Sequence, residues 1–471
     1  MRKKIRQQKE AIQLSLFDRQ VISVANSVNQ TSGTRNEAVG VSQFFSLLAR
    51  NRALTKDMLE EVLSITNLNK AYEQVRRNNG ASGVDGMGVS ELGSWLKANG
   101  KELISQIKEE SYMPSVVLGI KIPKADGGER LLGIPTAIDR LLQQSIHEIL
   151  SKLYEPLFSD HSYGFRPGRS AQQAIKQSSI YVKQGSGWVV DIDLARFFDE
   201  INHDRLMQRL HMGIGDKGVL RLIRKYLQAG MLKDGLAKQR LGGTPQGGPL
   251  SPLLSNIVLD ELDKELEKRG HQFVRYADDC NIYVKSKRAG ERTLDSITKF
   301  IEQKLKLKIN KAKSGVRRCE ETKFLGHTIL ENGKIRIADK SIIRFKKKVI
   351  ELTKRNRGVK FSEIIESVNT LHRGWVNYFK LANSWLPWRE LDGWVRRRMR
   401  CYRLKQCGRK YTIFKFLRKL EAPINKAWNA IMYSGGWWNL SSKMVCTKAM
   451  DLNWFDRNGL QSLTNLFARY G

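Results

Sequence analysis

The sequence predicts an α+β chain in two styles: strands and helices interleaved to about residue 330, followed by a basic, all-helical module. Three observations predict it: β-type runs bounded by turn residues between 112 and 284, helical apolar spacing after Asp339, and a jump in positive charge at the same place. At 471 residues the chain has room for about three domains and a large core without staples. Its 82 Lys and Arg against 47 Asp and Glu leave +35, an excess that points to a polyanion as partner, nucleic acid first. With 41% hydrophobic residues and ten Trp, it is not a disordered basic tail. No apolar run approaches the roughly 18 residues that cross a bilayer, and the short run from Ile12 to Phe17 is closed by Asp18-Arg19. No membrane partner is expected, and a cytoplasmic location is. Five cysteines with no Cys-x-x-Cys pair argue against a disulfide framework and a zinc knuckle.

The elements follow in order. Residues 1–50 open with Arg2-Lys3-Lys4 and run through a stretch rich in Asn, Ser, Thr and Gly, which predicts a mobile arm. From Thr55 apolar residues recur at helical spacing and stop at Asn78-Asn79-Gly80. The glycine-rich Gly80–Gly86 that follows is, taken alone, a turn. Val116–Pro123 and Arg130–Pro135, joined by Lys124–Gly128, read as a β-hairpin. Its Lys121, Lys124 and Arg130 suit a triphosphate clamp, or are simply solvated charges on an exposed hairpin. Residues 139–158 are helical. From 339 to 419, 23 Lys and Arg stand against 6 Asp and Glu, interleaved with Phe345, Trp375, Tyr378, Phe379, Trp385, Trp388, Trp394 and Tyr402. Arg396, Arg397, Arg398 and Arg400 crowd one helix, which points to an RNA or DNA backbone beside them.

The chemistry lies in the acids. Phe273–Tyr276 and Cys280–Val284 are β-rich runs joined through Ala277-Asp278-Asp279, a hairpin with adjacent carboxylates at its turn. Two such groups repel each other and lose solvation unless a divalent cation sits beside them, although an Asp-Asp turn is by itself ordinary. Eighty-five residues earlier Trp188-Val-Val-Asp191-Ile-Asp193 alternates acids with apolar residues, placing Asp191 and Asp193 on one strand face and Val190 and Ile192 on the other. A strand-end acid beside an Asp-Asp hairpin suits two Mg²⁺ ions, and oxygen ligands favour magnesium over zinc.

At this point the chain resembles the reverse transcriptases encoded by bacterial group II introns, over roughly residues 55–430. Tyr276-Ala277-Asp278-Asp279 matches the family's catalytic box, and Asp193 falls where its first catalytic acid lies, with Asp191 a neighbour. Thr244–Leu253 resembles the Pro-Gln-Gly box, in which Gln246 lies along the incoming nucleotide. Ile122-Pro123-Lys124, Arg130–Pro135, Ser162–Ser170, Asn310–Lys313 and Phe324–His327 follow in the expected order, and Arg373–Phe379 is similar to the thumb, or maturase, domain.

The resemblance implies a right-hand polymerase: an N-terminal extension at 51–115, fingers and palm at 116–330, a helical basic thumb or maturase domain at 338–428 and a C-terminal tail at 429–471. It implies two Mg²⁺ held by Asp193, Asp278 and Asp279. Lys121, Arg130, Phe198, Gln246 and Lys313 would meet the nucleotide. Phe198, five residues past the first acid, is expected to be a steric gate against the ribose 2′-OH, the alternative being a core phenylalanine, a role expected of Phe197. Arg166, Arg169, Arg373, Trp375, Arg396, Arg397, Arg398 and Arg400 would meet RNA or DNA. The implied partners are group II intron RNA, an RNA template with a DNA primer, target DNA and deoxynucleoside triphosphates. The implied function is RNA-directed DNA synthesis with assistance to intron splicing and retrohoming. A splicing-only maturase, or a domesticated relative in DNA repair or phage defence, is the alternative. The sequence shows no Cys-pair and His-rich endonuclease module, so it is not expected to cut the second DNA strand.

Overall fold

The computed structural model describes residues 55–123, 128–233, 236–238, 242–245 and 247–470. The expectations for residues 1–50, for Lys124 and for Gln246 lie outside them, as does the side chain of Arg130.

Ten strands occur among the described residues: β1 Val117–Pro123, β2 Glu129–Ile134, β3 Trp188–Asp193, β4 Met231–Lys233, β5 Leu236–Lys238, β6 Gln272–Tyr276, β7 Asp279–Val284, β8 Gly315–Arg318, β9 His327–Ile329 and β10 Ile335–Ile337. They form a sheet of order β2-β1-β4-β5, a sheet of order β6-β7-β3-β8 and the pair β10-β9. The expected hairpin is β1-β2, antiparallel, with Lys121 paired to Leu131 and Ile122 to Arg130.

The described residues divide into two compact units, the first comprising those within 55–170 and 190–316, the second those within 171–189 and 317–470. In the first, the helix Ala137–Tyr154 is the central pillar. Thr136 caps it by accepting from Asp139 N–H, and Leu141, Leu142, Ile146 and Leu150 are all buried to 1% exposure or less. The helix Ser251–Lys268, opened by Pro252 in its first turn, is buried along most of its length.

The second unit is almost wholly helical. Its long helices are Asp339–Leu352, Phe361–Phe379 and Leu386–Cys407. Trp388, fully buried, packs between Trp375 (5.1 Å) and Phe467 (4.7 Å). Residues 429–470, expected to be a tail, are folded into this core: Leu440, Cys446, Met450, Phe455 and Leu463 are buried. Asp392 ties the last helix, Leu463–Tyr470, in place by accepting from Leu463 N–H (2.8 Å), Thr464 N–H (3.0 Å) and the hydroxyls of Ser462 and Thr464. Helix Ala171–Lys183 joins the same unit, with Ser179 Oγ donating to Gly333 O at 2.6 Å. No helix among the described residues is long and apolar enough to cross a membrane.

Candidate active site

The acids that the sequence separates by 85 residues lie in one place because β3 and β7 are neighbours in one sheet. β6 and β7 close through the pair Tyr276–Asp279, so Ala277 and Asp278 are the two turn residues. Ala277 sits at φ 57°, a left-handed position that costs a non-glycine residue about 1 kcal/mol or more. A buried polar frame holds it there. Arg275, fully buried, donates from Nε to Asp263 Oδ1 (2.7 Å) and from Nη1 to both Asn256 Oδ1 and Ala277 O (2.9 Å each). Asn256 Nδ2 donates to Gly164 O (2.9 Å), and a Cβ on Gly164 would stand 2.3 Å from Ala277 N. The turn is therefore gripped from both sides.

Asp193 is fixed by the segment after the π-helical turn Ile301–Leu305. Its N–H donates to Ser314 Oγ (2.9 Å), its carbonyl accepts from Asn310 N–H (2.8 Å), and Lys313 Nζ stands 4.0 Å from its Oδ2. The mass of protein around the turn, followed by the like charges of Asp278, Asp193 and Asp191, pushes Asp279 up to about 7, against the pull of Lys313. The Asp279 side chain is nonetheless open at the surface, so water screens part of that crowding.

This donor set fits magnesium by chemistry: hard oxygens, like-charged, at adjacent strand ends. Among the described residues no three His, Cys, Asp or Glu side chains close into a preformed metal cage. Magnesium asks for less, since it binds through one or two carboxylates with water and substrate phosphates completing its shell.

The remaining expected residues divide sharply. Lys121 lies exposed on β1. Phe198 is 7% exposed and Phe197 2%, their rings 5.4 Å apart and edge-on, so burial does not separate gate from core. Phe198 O accepts from Thr244 N–H (2.7 Å), which ties the Pro-Gln-Gly segment to the residue expected to be the gate. Gly247, at φ 124°, lies where a Cβ would meet Gly133 O of β2 at 2.2 Å, so this segment also presses on the β1-β2 hairpin.

Arg166 and Arg400 depart from expectation, since both are buried and spend their guanidinium groups on the protein. Arg166 donates to Glu155 Oε1 (2.9 Å), Ser162 O (2.8 Å) and Ser159 O. Arg400 donates to Ser441 O (3.1 Å) and Met450 O (3.5 Å), and burial, with Arg396 and Arg397 nearby, brings its pKa down to about 10. Arg169 pairs with Asp160 (2.5 Å), and Arg398 donates to Thr353 Oγ1 (3.0 Å). Arg397 stacks 4.0 Å above Trp438, and Arg396 is half-buried beside a cavity of about 310 Å³ shared with Arg389. Exposed Arg373 donates to Gln461 Oε1 (3.1 Å). Trp375 lines a separate cavity of about 850 Å³ with Phe345 and Tyr378, among Arg344, Lys347 and Lys348.

Sequence reasoning missed Arg140. It is 8% exposed, its Nε and Nη2 have no hydrogen-bond partner among the described residues, and its Nη1 lies 2.3 Å from where a Cβ on Gly80 would be. Asp85 of the same loop favours its charge, and the two donors still without a hydrogen bond are what an anion beneath a glycine-rich loop would take. The signal available was an Arg amid the apolar residues of a buried helix. Arg275, between Val274 and Tyr276 on a buried strand, carried the same signal.

Residues 122–329 match the family described as reverse transcriptase (RNA-dependent DNA polymerase), and residues 342–420 match the group II intron, maturase-specific domain. The chain belongs to the group II intron-encoded reverse transcriptase and maturase family. The group II intron-encoded protein LtrA of Lactococcus lactis subsp. cremoris is 39% identical over 198 residues, 41% of this chain and 32% of the relative, so the chain aligns with about a third of that relative's length. Protein YkfC of Escherichia coli K12 is 30% identical over 287 residues, 53% of this chain and 75% of the relative. A partial Cas6-RT-Cas1–Cas2 complex is 26% identical over 52% of this chain and 42% of that one, with a TM-score of 0.35. Within the family, the acids described above occupy the reverse transcriptase domain and the arginine-rich helix the maturase domain.

Proposed function

We propose that this protein is an RNA-directed DNA polymerase that also binds its group II intron RNA, assisting splicing and retrohoming by target-primed reverse transcription. The observation that supports the reading most is the carboxylate cluster: Asp193, Asp278 and Asp279 at adjacent strand ends, with Lys313 beside them, inside a reverse transcriptase domain. Asp193, Asp278 and Asp279 would hold two Mg²⁺, which when bound lower the barrier to attack of the primer 3′ oxygen on the α-phosphate and stabilise the departing pyrophosphate. The chain's own residues orient the reactants. Lys121 and Arg130 of the β1-β2 hairpin, with Lys313, offset triphosphate charge; Gln246 and the glycines after it lie along the incoming nucleotide; Phe198 excludes a 2′-OH. Arg140 would hold a backbone phosphate of the nucleic acid under the Gly80–Gly86 loop.

In the C-terminal unit the cations offered to RNA include Arg373, Arg396, Arg397 and the Arg344, Lys347 and Lys348 rim around Trp375. Target DNA is a further polyanion these surfaces suit. The test is primer extension on an RNA template with Mg²⁺ and deoxynucleoside triphosphates, run beside binding to the flanking intron RNA and to unrelated RNA of equal length. Extension together with preferential intron binding supports both halves. Extension with equal binding removes the maturase half, and no extension by the unaltered protein removes the polymerase half.

A further inference from the structure

The loop Ser162–Arg169 is built to hold one side chain out. Four hydrogen bonds fix its base: Tyr163 N–H donates to Arg275 O (2.8 Å), Gly164 O accepts from Asn256 Nδ2 (2.9 Å), and the buried Arg166 guanidinium donates to Ser162 O (2.8 Å) and Glu155 Oε1 (2.9 Å). Gly164 touches the catalytic turn so closely that a Cβ there would collide with the Ala277 backbone. Between the two anchors, Gly164 and Arg166, stands Phe165 at φ 59°, in the left-handed region that a bulky side chain avoids, and it is 49% exposed. Its ring centroid lies 6.5 Å from that of Tyr276, the residue that opens the acidic turn. A buried arginine and a strained backbone are thus combined to present an aromatic face to solvent at the carboxylates. Stability alone favours the reverse: the apolar ring inside, and glycine at the positive φ.

We propose that Phe165 is a specificity-determining residue whose ring packs on the base pair at the primer 3′ terminus, reading its shape at the moment of extension. This rests on the polymerase reading above. The occupant follows from position, because whatever the Asp278 and Asp279 carboxylates act on carries its sugar and base beside Tyr276, and a nucleobase offers the flat π-face that an exposed phenyl ring accepts without regard to sequence. A mispaired terminus lies at a different angle, loses that contact and is extended more slowly.

The experiment compares Phe165→Ala, Phe165→Gly and Phe165→Tyr with the unaltered protein, using RNA-templated primers with matched and mismatched 3′ ends, alongside thermal melting. Ala and Gly are expected to lower kcat/KM for a matched template–primer by about tenfold, within the range that loss of one aromatic stacking contact spans, chiefly through KM. They should also shrink the preference for matched over mismatched ends by several-fold, and Tyr should restore both. Phe165→Gly should melt no lower than the unaltered protein, since glycine relieves the left-handed backbone; this separates a substrate contact from a packing role. If Ala and Gly leave kcat/KM and mismatch preference unchanged while the unaltered protein extends normally, the proposal is overturned and the polymerase reading stands. If Gly lowers the melting temperature and Tyr restores stability but not discrimination, Phe165 is a packing residue and the proposal again fails. An unaltered protein that does not extend at all overturns the polymerase reading itself.

Discussion

Two runs of like charge, the acids of the sheet and the arginines of helix Leu386–Cys407, meet opposite fates. Strand pairing brings acids from distant sequence to one point: Asp193 ends β3, Asp279 begins β7, and the two strands are neighbours. A helix does the reverse, turning each successive arginine by about 100°. Arg396 borders a cavity, Arg397 covers Trp438, Arg398 reaches Thr353 and Arg400 is drawn inside to the carbonyls of Ser441 and Met450. Spacing on a strand therefore predicts a site, whereas density on a helix predicts only a count of charges.

The largest effect expected from this contrast is at the converging acids. Asp278→Ala should slow Mg²⁺-dependent primer extension by at least ~10³, the scale of a lost metal clamp, while leaving intron RNA binding intact. Extension near the unaltered rate would remove Asp278 from the site. Next comes the frame behind it. Arg275→Met strands Asp263, which is fully buried, and should destabilise the N-terminal unit by about 3–5 kcal/mol in denaturant titrations. A double Arg275→Met, Asp263→Leu change should recover most of that stability but little activity, because the bond to Ala277 O stays lost.

The acids were legible in the sequence because period-two alternation around Asp191 and Asp193, and an acidic pair between β-rich runs, fix side-chain direction without knowledge of the partner strand. The basic helical module was legible from apolar spacing for the same reason. Arg166 and Arg400 were not, because their burial depends on carbonyls that the chain folds into reach: those of Ser159 and Ser162 for one, Ser441 and Met450 for the other. Residues 429–470 read as a tail because their helices are short and broken by Gly435-Gly436, and Asp392, from another helix, supplies much of the cap that fixes the last of them, beside Ser462. Phe165 is invisible for a related reason: its exposure follows from what its neighbours Gly164 and Arg166 are bonded to, Asn256 for one and Glu155 and Ser162 for the other, which the local sequence does not reveal.

A smaller effect should appear on acidification. His327, 2% exposed between Tyr378 and Phe379, has its pKa lowered by burial to about 4, with a weaker opposing contribution from its bond to Leu325 O. The unfolded chain binds a proton near pH 6.5 and the folded one does not, so stability is full above pH 6.5 and falls as the pH drops toward 4. Between pH 7 and 5 this one group should cost about 2 kcal/mol. In His327→Asn that portion of the pH dependence should vanish from melts of the protein, whatever the substitution does to stability at pH 7. An unchanged slope would mean that the imidazole titrates in the folded state as it does in the unfolded chain.

The smallest effects divide two arginines one helical turn apart, and they test the contrast most directly. Arg400→Ala removes two donors and leaves the carbonyls of Ser441 and Met450 without them, so it should lower stability by about 1–3 kcal/mol. Arg396→Ala, beside an open cavity, should change stability by no more than about 0.5 kcal/mol, alanine being the better helix former. Affinity for RNA should show the opposite order. Losing Arg396 should remove the phosphate contact proposed for it and flatten the slope of log affinity against log salt by about 0.7 for single-stranded RNA. Losing Arg400 should leave that slope unchanged under conditions where the variant is folded, because a guanidinium engaged with two carbonyls releases no counterion when RNA binds. Equal slopes for both variants, each flattened, would mean that Arg400 turns outward on binding and that its inward position describes only the free protein.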